Sequence, residues 1–136
     1  MDLNNYSIIS YKIDFKDAKY SNLQNLLNSN FNVIETLNSY LKELLFVKKN
    51  WNNQLMDDFV ENKLGGYWDW EGLSAYNVTG KWFTFIGYDD LTGYINVDTE
   101  MFYLENSILT NEIIVKMPLY AFIDVLQRWK AILNHR

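Results

Sequence analysis

Apolar residues recur at helical spacing through much of the first half of the chain. Separations of one, three and four positions predict an amphipathic helix whose pattern continues after Asn52 and Asn53. The apolar positions are Val33, Ile34, Leu37, Tyr40, Leu41, Leu44 and Leu45, then Leu55, Met56, Phe59 and Val60. Residues 21–24 and 32–35 have capping-box form and predict helix starts. Glycines 65 and 66 predict the helix end, because glycine readily adopts the left-handed conformation of a C-terminal cap.

Segments rich in β-branched and aromatic residues predict strands elsewhere in the chain. These segments are residues 6–13, 81–86, 93–97, 101–104 and 112–116. Residues 14–19 are polar and predict a loop. Residues 89–93 predict a turn, because aspartate bonds its local backbone and glycine permits positive φ.

A last apolar face follows Pro118, which fits the first turn of a helix because its missing N–H costs nothing there. This face consists of Leu119, Phe122, Ile123, Leu126, Trp129 and Leu133. We predict an α+β fold from this order of elements. N-terminal helices pack on a mainly antiparallel sheet of about four to five strands, and a C-terminal helix closes the structure. Neither the helices nor the sheet are extensive enough to bury their apolar faces alone, so we expect them to form one domain, residues 1–136.

The composition excludes several classes of protein. An apolar fraction of 49% and an aromatic fraction of 17% argue against disorder. The chain has no cysteine, so disulfides and thiolate sites are excluded. Its first residues lack the basic and apolar regions of a signal peptide, and no apolar run approaches the ~18 residues of a membrane span. We therefore expect a soluble cytoplasmic protein.

Charge is segregated along the sequence. Between residues 57 and 112 there are eleven acidic residues against two lysines, so this half carries a net charge of −9 while the remainder carries +4. The same half holds Trp68, Trp70 and Trp82, with Trp51 just upstream. Such a surface favours a basic partner and disfavours nucleic acid, whose phosphates it would repel. The alternative is an acidic face that only keeps the protein in solution.

The chain offers little catalytic chemistry. Its one histidine, His135, is the penultimate residue, so a Ser-His-Asp or Cys-His arrangement and a zinc site are both improbable. Gly65 and Gly66 lack the flanking residues of a phosphate loop, and the segment from Asp89 lacks the alternating oxygen ligands of a calcium loop. We predict no catalytic residue, metal or cofactor.

Two interpretations remain open for the segment around Trp70. Asp69 and Glu71 flank it and would point to one face of a strand, where paired carboxylates beside tryptophans could cleave or bind a carbohydrate. The alternative is a solvated strand face opposite a buried tryptophan. Alternation is expected to bury only one of Trp68 and Trp70, which leaves the other for an interface or a ligand.

The closing segment has the pattern Leu-x-x-Phe-Ile-x-x-Leu-x-x-Trp-Lys, carried by Leu119, Phe122, Ile123, Leu126, Trp129 and Lys130. With residues 117–133 it resembles the ending of many small bacterial immunity proteins, which neutralise toxin domains in polymorphic and contact-dependent growth inhibition systems. Its positions are mainly core positions and identify no binding residue. The resemblance implies a small cytoplasmic antitoxin without catalysis.

Charge and resemblance together predict an immunity protein that binds a basic toxin domain of the nuclease type. The candidate partner-binding residues are Asp57, Asp58, Glu61, Trp68, Asp69, Trp70, Glu71, Asp89, Asp90, Asp98 and Glu100. The alternatives are a carbohydrate-binding or carbohydrate-active domain built on Asp69 and Glu71, and a scaffold or regulatory protein with another basic partner. The sequence indicates neither the toxin's activity nor an oligomeric state.

Overall fold

A computed structural model describes residues 5–71, 78–109 and 111–135, and within them the fold is α+β. The elements in chain order are β1 (Tyr6–Ile9), β2 (Lys12–Phe15), α1 (Ser21–Asn25), α2 (Ile34–Lys49), α3 (Gln54–Lys63), β3 (Trp68–Glu71), β4 (Thr79–Gly87), β5 (Leu91–Asn96), β6 (Met101–Asn106), β7 (Val115–Pro118) and α4 (Leu119–Leu133). A short 3₁₀ turn (Ala18–Tyr20) precedes α1, and a π-helical turn (Leu26–Asn30) follows it.

The main sheet is antiparallel throughout, with strand order β3-β4-β5-β6-β7. The main core joins one face of this sheet to the described helices, so Phe83 and Ile95 lie among buried residues of α1 to α4. Side chains alternate between the faces of a strand, and Trp82 consequently belongs to a separate, smaller cluster on the other face. The predicted antiparallel sheet and closing helix are confirmed.

The predicted first strand is in fact a hairpin. Residues 6–13 do not form one strand, because Ser10 and Tyr11 adopt positive φ values of 54° and 60° and turn the chain back. β1 then pairs with β2, with Ile8 opposite Ile13, and β2 extends into the predicted loop at residues 14–19. A two-residue turn with both φ values positive matches the twist of paired strands.

Side-chain amides complete the outer edge of β2. The amide of Asn28 accepts a hydrogen bond from the backbone N–H of Ile13 (2.9 Å) and donates one to its carbonyl oxygen (2.8 Å). Gln24 Oε1 accepts from the N–H of Phe15 (2.8 Å). These side chains replace the next strand that an edge would otherwise lack.

The predicted capping boxes do not mark the helix starts, because the N-caps of α1 and α2 are Tyr20 and Val33. Ser21 Oγ instead bonds Glu112 Oε2 (3.0 Å), and α2 begins after Val33 with no side-chain cap. The continuous helical pattern is interrupted after Lys49, and Asn53 caps α3 by accepting from two backbone N–H groups. The predicted glycine stop is confirmed, since Gly66 N donates to the carbonyl of Val60 (2.9 Å).

The closing helix is confirmed, with every predicted residue of its apolar face buried. Trp129 also donates its indole N–H to the carbonyl of Phe31 (2.8 Å), which ties α4 to the segment before α2. Pro118 lies one position before the helix, as the last residue of β7. That strand begins at Val115, three residues later than the predicted segment 112–116.

Candidate partner-binding surface

The sheet face opposite the helices carries an aromatic cluster at its β3 edge. The cluster comprises Trp68, Trp70, Trp82, Tyr94 and Tyr103, and no described helix contributes to it. Register explains its position, because cross-strand partners share a face and Trp68 lies opposite Trp82. The rings of these two tryptophans stack with centroids 5.7 Å apart.

Both tryptophans of β3 lie on this face, side by side. The expectation that alternation would bury only one of them is wrong, because residues two positions apart in a strand point the same way. The ring centroids of Trp68 and Trp70 are 5.0 Å apart, and both side chains are half-buried. Trp82 and Tyr103 are 1% and 2% exposed, so these two residues form the buried floor of the cluster. Trp68 and Trp70 lie at its margin.

A glycine brings a carboxylate to the tryptophans. Gly80 lies opposite Trp70 in the β3–β4 pairing and has a φ of +131°, which favours glycine. A Cβ at this position would collide with Asp98 Oδ2. Asp98 therefore occupies the space that a side chain would fill, and its Oδ2 accepts a hydrogen bond from the N–H of Lys81 (3.1 Å).

More carboxylates surround Tyr67, just before β3. The phenol of Tyr67 donates to Asp57 Oδ1 (2.8 Å), and the ammonium of Lys81 lies 3.8 Å from the centre of its ring. Burial, this hydrogen bond and the charges of Asp57 and Glu61 raise the pKa of Tyr67. Asp69 is exposed and lies opposite Lys81 in the register. One lysine thus lies among several acidic groups.

The other candidates are dispersed. Asp58 lines the groove between α2 and α3, and Asp89 and Asp90 lie in the turn at the far end of β4. Glu100 follows Asp98, and its carbonyl accepts from the N–H of Leu119. The backbone of Glu71 pairs with Thr79, while its side chain lies outside the described residues. The structure therefore places Asp98 beside the two tryptophans of β3, and gathers Asp57, Glu61 and Asp69 around Tyr67 on the opposite face of the sheet.

No ion pair within the described residues compensates these carboxylates. The ion pairs among the described residues join Lys19 to Asp17 and Arg128 to Asp124, and use none of the candidate residues. Glu61, Asp69 and Asp98 are exposed, so the β3 edge of the sheet carries negative charge on both faces and the half-buried tryptophan pair on one of them. That combination is typical of protein interfaces with a basic partner.

Sequence reasoning missed the tyrosines of this face. Tyr94 donates to Glu105 Oε1 (2.8 Å), and burial together with this bond raises the pKa of Tyr94 to about 12. Tyr103 lies opposite Tyr94 and packs on Trp82, with centroids 5.1 Å apart. Strand alternation in β5 and β6 is the signal that could have identified both.

The described residues include no group of three or more histidine and carboxylate side chains placed to hold a metal ion. No helix in the described ranges is long and apolar enough to span a membrane. Strand alternation puts Asp69 on the face opposite Trp68 and Trp70, so this carboxylate and the indole rings do not line one cleft.

Comparison with known proteins gives no relative. No family model matches the chain, and neither the curated proteins nor the solved structures yield a match.

Proposed function

We propose that the chain is an immunity protein that binds a basic, nuclease-type toxin domain in the cytoplasm and neutralises it. The observation that carries this proposal is the half-buried pair Trp68 and Trp70 on one face of the β3 edge, with exposed carboxylates on both faces of that edge that form no ion pair among the described residues. Tryptophan is enriched at the centres of interfaces, where few residues supply most of the binding free energy. The resemblance of the closing helix to immunity proteins agrees with this proposal.

The proposed mechanism is occlusion. A nuclease presents lysine and arginine to the phosphates of its substrate. The β3 edge, with Asp98 on the tryptophan face and Asp57, Glu61 and Asp69 on the other, would occupy that groove instead. Long-range attraction between opposite charges speeds encounter, while the indole rings slow dissociation by excluding water. The proposal therefore assigns association mainly to the carboxylates and residence time mainly to the tryptophans.

The experiment is co-expression with the protein encoded immediately upstream, followed by capture in low and moderate salt. The proposal expects capture of the C-terminal domain of a large secreted protein. Association and dissociation rates are then measured for the double variant Glu61→Lys/Asp69→Lys. We expect association to slow at least tenfold and its salt dependence to flatten, because both exposed charges are reversed. For Trp70→Ala we expect faster dissociation with little change in association.

The matched control reverses two exposed carboxylates elsewhere, Asp14→Lys/Glu35→Lys. Both double variants change the net charge from −5 by four units, so a general charge effect would act on them equally. Equal slowing by the two variants would contradict the assigned surface. Failure to capture the neighbouring domain in either salt would overturn the immunity proposal. Quenching of tryptophan fluorescence by glycans would then favour the carbohydrate alternative, and capture of an unrelated basic protein the regulatory one.

A further inference from the structure

An apolar tip follows β6 at the opposite end of the sheet from the tryptophan pair. Ile108 and Leu109 form this tip and are 65% and 51% exposed, and Ile113 beyond it is 56% exposed. Single exposed apolar residues are common, but adjacent ones in one loop indicate a contact surface. Gly87, the end of β4 nearer the tip, is seven positions from Gly80, or about 23 Å at the usual rise of a strand.

The backbone of this tip is fixed by hydrogen bonds. The side chain of Asn106 is buried, and its Oδ1 accepts from the N–H groups of Ile108 (2.9 Å) and Leu109 (2.6 Å). The N–H of Ser107 donates to the carbonyl of Asp90 (2.8 Å). A loop with a fixed backbone loses less conformational entropy on binding than a flexible loop does. The apolar side chains are therefore presented in a shape suited to docking.

Charge around the tip selects the kind of partner. Asp89 and Asp90 are exposed beside it, and the ion pairs of the described residues involve neither. An anionic lipid surface would be repelled by these carboxylates, and so would the same surface of a second copy. A protein cleft with an apolar floor and a rim of lysine or arginine complements both the isoleucine–leucine tip and the aspartates.

We propose that this tip is a second protein-docking point, in which Ile108 and Leu109 insert into an apolar cleft and Asp89 and Asp90 pair with basic residues at its rim. The proposal does not rest on the function proposed above, because it uses different residues at the other end of the sheet.

The test is site-specific photo-cross-linking of the full chain in its native cells. Leu109 is replaced by photoreactive benzoylphenylalanine, and the control carries the same residue at Ile9, which is 75% exposed in β1. We expect one discrete adduct from position 109 that is absent from position 9. Mass spectrometry should identify a basic protein. Asp89→Asn/Asp90→Asn should lower the adduct yield at least fivefold, because the carboxylates that pair with its basic rim are lost.

A second variant shows whether a loss of binding could come from misfolding. Ile108→Ser/Leu109→Ser removes only exposed apolar surface, so its melting temperature should stay within about 2 °C of the parent chain. Its affinity for the identified protein should fall at least tenfold, whereas Ile9→Ser should bind as the parent does. An adduct with a second copy, an adduct only with lipid, or no adduct beyond that of position 9 would each overturn the proposal.

Discussion

Gly80→Ala tests the geometry that brings Asp98 to the tryptophan pair. The substitution adds one methyl group at a backbone position whose φ is +131° and whose open side is filled by the Asp98 carboxylate. Alanine must either adopt a strained conformation and displace the carboxylate, or distort the start of β4. Gly87 provides a matched control in the same strand, because a methyl group added there would meet no atom within 4 Å and its φ is not positive.

The cost can be worked from two contributions. Holding a residue other than glycine at such a φ costs about 1–3 kcal/mol. Loss of the hydrogen bond from the N–H of Lys81 to Asp98 Oδ2 costs a further ~1 kcal/mol. We therefore expect Gly80→Ala to lower the free energy of unfolding by about 2–4 kcal/mol, which corresponds to a fall in melting temperature of roughly 6–20 °C. Gly87→Ala should change stability by no more than about 0.5 kcal/mol.

The assay is urea unfolding followed by circular dichroism, with Asp98→Ala and the double variant completing a mutant cycle. If Gly80→Ala already displaces the carboxylate, then removing Asp98 afterwards should cost nothing more. The double variant should therefore be about 1 kcal/mol more stable than the sum of the single effects predicts. Unchanged m-values would show that the comparison measures stability.

Two results would refute this reasoning. Equal stability of Gly80→Ala and Gly87→Ala would mean that neither the backbone conformation nor the carboxylate constrains this position. Additive effects in the cycle would mean that Asp98 does not lie over Gly80, and the candidate surface would lose that carboxylate.

Two further predictions concern the aromatic cluster. Trp82→Ala should cost about 3–5 kcal/mol in urea unfolding because Trp82 is fully buried, whereas Trp68→Ala should cost clearly less because Trp68 is only half-buried. The reverse order would contradict the arrangement of floor and margin. Stability should also fall as pH rises from 10 to about 12, because the folded state raises the pKa of Tyr94 from 10.0 to about 12 and so favours the protonated phenol. Tyr94→Phe cannot titrate, so its stability should fall less over that range in urea titrations at each pH.

Long periodic segments could be predicted from the sequence. The apolar face of α4 follows helical spacing over fifteen residues, and each predicted position is buried. The predicted apolar face of α2 matches the structure less well, because Val33 and Leu45 are exposed whereas Val47, which was not predicted, is buried. A helix that packs against several neighbours buries the face that those neighbours select, which periodicity alone does not show.

Local features that depend on distant partners could not be predicted. The hydroxyl of Ser21 bonds a carboxylate 91 positions away, at Glu112, instead of capping its own helix. The hairpin turn at Ser10 and Tyr11 contains neither glycine nor asparagine, so nothing in its composition predicts positive φ. The position of Asp98 beside Trp70 depends on the register between β3 and β4, since only that pairing brings Trp70, Gly80 and Asp98 together.

The amide of Asn28 has a consequence for which substitutions the chain can accept. It supplies a donor and an acceptor to one backbone residue at once, as a neighbouring peptide group would. Aspartate has the same shape but no donor at neutral pH, leucine has neither group, and serine is too short to span both atoms. Position 28 should therefore tolerate far fewer residue types than its partial exposure suggests. Its side chain is constrained by the hydrogen bonds that it must donate and accept, rather than by its volume.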